Sequence, residues 1–469
     1  MCCEMVIVGA MRITILSIAF VLALNHAART TAREELWKAG LASVDITPTE
    51  PIWLAGYAAR THPSEGAVHP IYAKALALED SRKNRLVIVT SDLLGFTRAL
   101  SEPIARKLEQ RFKLRRDQVL FTSSHTHTAP VVREYMVFAY GLTPEQEGAI
   151  ERYSRMLEDR VVEVVRGALK DMAPARLSFG RGEAGFGVNR RVAGSKGYVI
   201  DVNRAGPVDH EVPVLRIEGK EGRLRGVIFS YACHNTTLTG EFYQVSGDYA
   251  GFAQVAFEKK HPGSRALFVL GCAGDTNPYP RSELKHAEAH GVELAEAVEK
   301  VLQGPMSPVS GDLRTALEYT MLSFAPPPAK EELEARLQEK DRGRQRHARR
   351  MLDMLQRDGR LPAQYPYPVH AAQFGKSLTL VALGGEVVVD YSLRLKKELS
   401  GNPLLLMAYA NDVMAYIPSL RVLKEGGYEG GGSMIFYGRP GPWAEDVEEL
   451  VVKKVHEVVR KLTMTNNDK

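Results

Sequence analysis

Three histidines are the residues in this 469-residue chain best suited to do chemistry together. His125 and His127 stand two apart in SSHTHTAP (123–130), and His234 stands in CHNTT. In extended backbone, side chains alternate with period two, so His125 and His127 are predicted to face the same side. Such a pair can offer one imidazole to a metal and hold the other beside it for proton transfer. A lone histidine at a strand end is more often structural, but three imidazoles among hydroxyl-bearing neighbours point to a metal site. Two histidines and a carboxylate form a common catalytic zinc set that leaves one position open for water or substrate. The chemistry expected of it is hydrolysis, because bound zinc brings the pKa of water to about 7.

These residues follow short apolar runs rich in Val, Ile and Leu: RLVIVT (85–90), QVLFTS (118–123), LRGVIFSYA (224–232), ALFVLG (266–271), LTLVALG (378–384) and LLLMAYA (404–410). Runs of this length and type predict strands buried on both faces. Between them, 101–112, 150–169, 248–260 and 282–303 show helical period, with Ser101 as the expected N-cap of the first and Pro103 in its first turn. Strands alternating with helices predict an α/β fold, a mixed sheet with flanking helices. After the six runs come Ser91-Asp92, His125-Thr126-His127, Cys233-His234-Asn235, Gly274-Asp275, Glu386 and Asn411-Asp412. Ligands in α/β proteins bind at the carboxyl ends of strands, so the zinc site is expected there. Two segments look added to this core. Residues 326–362 read as a Pro-bounded, charged helical hairpin or long helix, either a solvated spacer or an entrance wall. Residues 442–462 read as an amphipathic helix with a Pro start that packs on the sheet.

The segment 123–130 resembles the THTHSGP segment of the neutral, non-lysosomal ceramidases, and further matches follow in that family's order. They are GLASVDITP and LAGYA (40–48, 54–58), VNRR (188–191), HNTT and SGDYAGFA (234–237, 246–253) and GCAGDTNP (271–278). LGGE (383–386), ANDVMAYIPS (410–419) and GGYEGGG (426–432) complete the series. Carried over residue by residue, the resemblance implies zinc held by His125, His234, Glu386 and Tyr416. Tyrosine is an unusual ligand with an intrinsic pKa of about 10, binding as phenolate or as a displaceable neighbour. The resemblance also implies a substrate-facing shell of His127, Arg190, Asp275 and Tyr428. Arg190 or His127 is expected to stabilise an oxyanion, and Asp275 or His127 to carry a proton to the leaving amine. One departure stands out. Where the family has GDVSPN, this chain has GDTNPY, so Asn277 replaces a serine. An asparagine cannot be acylated or donate a hydroxyl proton, but its amide can donate hydrogen bonds to an oxyanion.

The expected function is that of a zinc-dependent amidohydrolase cutting the N-acyl amide of ceramide or a related lipid by metal-activated water. Alternatives are a similar zinc hydrolase acting on a different amide or ester, and a non-catalytic metal- and lipid-binding relative. The catalytic domain is expected over 36–465, without the C-terminal β-sandwich module of larger members. Residues 11–24 read as a signal-peptide core, placing a leader at 1–28 and the protein outside the cytoplasm; a buried helix or uncleaved anchor is the alternative. Cys2 and Cys3 would leave with that leader. Cys233 and Cys272 read as buried thiols, with a bridge between them left open. The formal charge is +5, with basic and acidic residues interleaved, and the dense stretch RGRQRHARR (342–350) reads as a solvated helix face. No zinc-finger, P-loop or Rossmann pattern is present, and no nucleic-acid partner is expected. The partner expected is a lipid-like N-acyl substrate, with peripheral contact to a membrane surface allowed.

Overall fold

The computed structural model describes residues 37–463, and the leader expected at 1–28 lies outside them. All six apolar runs form strands, and the tertiary structure joins them as three parallel pairs. Arg85–Ser91 runs beside Val119–Ser123, Leu224–Tyr231 beside Arg265–Leu270, and Leu378–Leu383 beside Leu404–Met407. The first two pairs form the flanks of a nine-stranded mixed sheet. Between the flanks lie Tyr72–Glu79, Trp37–Asp45, Ala173–Glu183 and Glu211–Gly219, all antiparallel to their neighbours. The short Ser307–Val309 pairs off this path with Ala173–Glu183. The third parallel pair belongs to a four-stranded sheet with Leu313–Ser323 and Gln364–Phe374.

Period-two alternation explains why the runs carry apolar residues on both faces. Leu86, Ile88 and Leu120 face a core shared with Phe374, Leu380 and Leu405 of the second sheet. Val87, Val89, Val119 and Phe121 point the other way into the larger core. Helices Pro144–Lys170, Asp248–Lys260 and Leu284–Gln303 pack on the main sheet, and Val447–Thr463 packs on the second. Two sheets face to face, each backed by helices, therefore bury both faces of every strand in the parallel pairs.

The chain after the last parallel strand brings the strand ends together. Ala408 N donates to Leu270 O, Ala410 N to Leu383 O, and Asn411 N to Phe121 O. Residues 408–411 thus tie the two outer strands of the main sheet to the second sheet. Carboxyl ends from all three parallel pairs converge there.

Two expected helix starts are corrected by distant contacts. The first helix spans Arg98–Phe112, with Thr97 at its N-cap position and Pro103 inside it. Asp412 Oδ1 accepts from Arg98 N at 3.1 Å, placing a carboxylate at the helix start that local sequence could not reveal. Ser101 is instead buried with an unpartnered hydroxyl. The C-terminal helix begins at Val447 and not at Pro442. Trp443 keeps the chain extended: it stacks on Phe324 at 4.5 Å and donates Nε1 to Tyr416 O at 2.8 Å.

The charged segment is a hairpin of Lys330–Arg336 and Arg342–Asp358, with Asp341 capping the second helix through Gly343 N and Arg344 N. Arg346 donates to Ala139 O, and the His347 ring lies 2.7 Å from Arg439 O. Cys233 and Cys272 are free and buried. Among the described residues, no helix is long and apolar enough to cross a membrane.

Candidate metal centre

His125 does not lie in extended backbone. Its φ is +62°, and the chain turns at the end of Val119–Ser123. His125 and His127 nonetheless face each other, with ring centroids 4.9 Å apart, so the expected juxtaposition arises from a left-handed residue and not from the strand pleat. The His125 N–H donates to Leu93 O, and its Nδ1 lies 2.5 Å from Leu94 O. On the other flank of the sheet, His234 Nδ1 lies 2.6 Å from Ala273 O. A backbone carbonyl can only accept, so Nδ1 carries the proton in each ring and Nε2 is left as a lone pair.

Both lone pairs meet one carboxylate. Glu386 Oε2 lies 3.1 Å from His125 Nε2 and 3.0 Å from His234 Nε2. Tyr416 Oη lies 3.2 Å from the same His234 Nε2. Burial, then Arg190, lowers the His234 pKa to about 4, so its ring is neutral near pH 7. His125 Nε2 is buried and makes no hydrogen bond despite its short approach to Glu386. Lone pairs facing a carboxylate in a dry interior repel unless a cation lies between them. This donor set fits a divalent metal, and its orientation by backbone carbonyls is the usual support for metal-binding imidazoles. His125, His127 and His234, with ring nitrogens within 4.8 Å of one another, form a group that could hold an ion.

Glu386 and Tyr416 come from a two-residue parallel ladder, Glu386–Val387 with Tyr416–Ile417, in which they are direct partners. Tyr437 donates its hydroxyl to Glu386 Oε1, holding the carboxylate from behind. The Tyr416 ring stacks on His234, nearly parallel at 11°. Burial raises the Tyr416 pKa and Arg190 opposes that rise. Arg190 Nη2 donates to Tyr416 Oη at 2.9 Å.

A cavity of about 310 Å³ opens beside this cluster. His127, Arg190, Asn277, Tyr416 and Tyr428 are in its wall, with Ala58, Ala59, Met136, Ile200 and Phe436 supplying apolar surface. His127 has no hydrogen-bond partner at either ring nitrogen. Arg190 is already engaged: Nε pairs with Glu429 at 2.8 Å and Nη1 donates to Asn277 Oδ1 at 3.1 Å. Asn277 Oδ1 also accepts from Thr236, so the donor end of the amide is the end left free. Thr276 is absent from the cavity wall, as expected of its neighbouring position in the strand Thr276–Pro278.

Asp275 is not brought to the cavity. Its oxygens accept from Val389 N at 2.8 Å and Asn189 Nδ2 at 3.0 Å, and burial pushes its carboxyl up to about 6. Asp92 and Asp412, at two other strand ends, also bind backbone N–H groups, of Tyr72 and Arg98.

Several residues escaped the sequence reading. Tyr437 lies in no quoted motif, and Tyr409 packs against His125 with ring centroids 4.5 Å apart. Glu429 was visible as the single carboxylate of GGYEGGG; it bridges Arg190 and Arg191. Gly56, in LAGYA, has φ +91°, and a Cβ there would stand 2.2 Å from His127 Nδ1. Gly56→Ala is therefore expected to displace the His127 ring. Turnover should fall on the order of 10²-fold, the lower range for a lost acid–base group, while metal content is unchanged. Kinetics alongside elemental analysis checks this; equal loss of metal would place Gly56 in support of the cluster instead.

Residues 37–317 match the family model for the N-terminal domain of neutral/alkaline non-lysosomal ceramidases. The chain is 25% identical over 266 residues to a neutral ceramidase of Pseudomonas aeruginosa, covering 55% of this chain and 39% of that protein. It is 26% identical over 247 residues to a neutral ceramidase of Mycobacterium tuberculosis, covering 48% and 37%. The matched region thus spans under two fifths of these relatives. The crystal structure of the Pseudomonas aeruginosa neutral ceramidase superposes with a TM-score of 0.70 at 19% identity, over 92% of this chain and 76% of that one. A solved structure described as a ceramidase complexed with C2 superposes with a TM-score of 0.71 at 18% identity, over 92% and 77%.

Proposed function

Because this chain belongs to the neutral/alkaline non-lysosomal ceramidase family, we propose that it is an exported, zinc-dependent amidohydrolase acting on the N-acyl amide of ceramide or a related lipid. The observation that carries this reading is the convergence of His125 Nε2 and His234 Nε2 on Glu386 Oε2, with Tyr416 Oη against the same His234 Nε2, beside a cavity. His125, His234, Glu386 and Tyr416 would hold the metal. Zinc bound there supplies Lewis acidity, polarising an amide carbonyl and making water acidic enough to act as nucleophile near neutral pH.

The chain's own residues supply the rest. The Asn277 Nδ2 donors and the uncommitted protons of Arg190 are positioned to bind the carbonyl oxygen as it gains negative charge. Glu429 fixes the guanidinium of Arg190 in that orientation. His127, neutral through burial and its histidine neighbours, accepts a proton from attacking water and returns it to the amine nitrogen. Of His127 and Asp275, His127 takes this role because it lines the cavity, whereas Asp275 positions Asn189 and the helix starting at Val389. The water oxygen joins the acyl carbon and the C–N bond breaks, leaving a carboxylic acid and an amine. Tyr428 forms part of the wall against the substrate.

The defining experiment measures fatty-acid release from short-chain ceramides and simple N-acyl amines, before and after chelation and zinc restoration. Activity indifferent to metal removal would sink the metal-dependent reading. Tyr437→Phe tests the support of Glu386: metal affinity is expected to fall about 10–100-fold, the usual effect of losing an outer hydrogen bond to a ligand. Competition with a chromogenic chelator reads this directly, and an unchanged affinity would refute it. A ceramidase-like hydrolase for a different amide or ester is the second reading, favoured by Asn277 at the family's serine position.

A further inference from the structure

The cavity wall contains two arginines and no Asp or Glu. Their situations differ. Arg190 is neutralised by buried Glu429. Arg281 has no carboxylate partner among the described residues: Nη2 donates to Tyr57 Oη at 3.1 Å, and Nε is buried without an acceptor. Asp248, near the same wall, spends its oxygens on Leu238 N and Tyr249 N. A third guanidinium, Arg60, stands behind Tyr57 with its carbon 5.5 Å from that ring, and it donates to the carbonyls of Phe242 and His127. The wall therefore carries a guanidinium with no direct carboxylate partner among the described residues, anchored through Tyr57, whose ring is 4.9 Å from His127.

An unpaired guanidinium in a partly desolvated wall is costly unless an anion completes it, and its planar fork matches the paired oxygens of a carboxylate or a phosphate. The distances are short. Arg281 reaches Tyr57 Oη at 3.1 Å and the Tyr57 ring is 4.9 Å from His127, so an anion at Arg281 shares one cavity wall with the amide presented to His127 and Asn277. Ala58, Ala59, Met136, Ile200 and Phe436 offer an acyl chain its own apolar surface. We propose that Arg281 binds a carboxylate on the amine side of the substrate, so that the site takes N-acyl amino acids. This rests on the amide-hydrolase reading above and narrows its substrate class. A ceramide has no anion to offer Arg281, and the loss of serine at position 277 points the same way.

The test compares three probes on the zinc-loaded protein: N-dodecanoylglycine, its neutral carboxamide, and the phosphate ester of N-dodecanoylethanolamine. The expected kcat/KM for the carboxylate exceeds that for the carboxamide by roughly 10–100-fold, the range for a hydrogen bond to a charged group. Arg281→Met should bring that ratio close to unity, and Arg281→Lys should retain part of it. Thermal melts of both variants establish that they fold, and the wild-type ratio stands independently of them. Equal rates on carboxylate and carboxamide, or a ratio unchanged in Arg281→Met, would overturn the assignment. A preference for the phosphate ester would overturn the carboxylate in particular. Calorimetric titration of the same probes separates this inference from the hydrolase reading. If nothing is cleaved but the carboxylate binds more tightly through Arg281, the hydrolase reading fails and the Arg281 site stands. Equal affinities, or no binding, would refute the site.

Discussion

His234→Ala is expected to abolish both metal loading and hydrolysis. The imidazole is wholly buried, its Nδ1 is fixed by Ala273 O, and its Nε2 touches both Glu386 and Tyr416. Removing it deletes a ligand, leaves the Glu386 carboxylate short of a partner, and takes the stacking surface from Tyr416. His127 stands close enough to bind a metal with His125 but carries the proton in the proposed reaction, so it is not expected to restore both functions. Metal measured by elemental analysis should fall from stoichiometric to background, and activity should not return with added zinc. A second readout is thermal: bound metal stabilises the native state by mass action, so chelation should lower the wild-type melting temperature and leave the variant's unmoved. A variant that keeps stoichiometric metal would show that the ligand set is drawn wrongly.

The next largest effect is expected at Asn277. Asn277→Asp keeps the size of the side chain and its capacity to accept from Arg190 and Thr236. It removes the Nδ2 donors and puts a negative charge where negative charge must develop. If Asn277 binds the oxyanion, turnover should drop by roughly 10²–10³-fold, the loss seen when one oxyanion donor is deleted. KM and metal content should move little, because the contact strengthens in the transition state and not in the ground state. Near-wild-type turnover would exclude Asn277 from catalysis. Asn277→Ser addresses substrate choice: gain of ceramide hydrolysis absent in the wild type would show that this position divides the present chain from serine-bearing members.

Much of the fold was legible because the parallel strands announce themselves. A strand buried on both faces is apolar on both faces, and Arg85–Ser91, Leu378–Leu383 and the others read as such at most of their positions. The antiparallel strands between them did not. Ala173–Glu183 mixes buried with exposed positions, Glu211–Gly219 mixes buried with half-buried ones, and both carry charges, so no long apolar run marked them. Helix starts failed where their cap came from afar, as Asp412 does for Arg98.

For the site, sequence alone determined which residue types end the buried strands, and order along the chain related them to a family. It drew His125, His234, Glu386, Tyr416, His127, Arg190, Asp275, Asn277 and Tyr428 into one constellation, and the structure gathers all of them but Asp275 around one cluster and its cavity. Only tertiary structure decided what each polar group is free to do. Asp275, Asp92 and Asp412 occupy the same kind of strand end as Glu386, yet each gives one oxygen to a backbone N–H and the other to a side-chain donor, Asn189, Gln254 and Tyr365 respectively. Arg190 is held by Glu429, whereas Arg281 has no direct carboxylate partner among the described residues. The left-handed turn at His125 and the hydroxyl of Tyr437 behind Glu386 belong to the same class of fact. A residue's chemistry depends on which of its hydrogen bonds are already made, and those partners lie tens to hundreds of positions away in sequence.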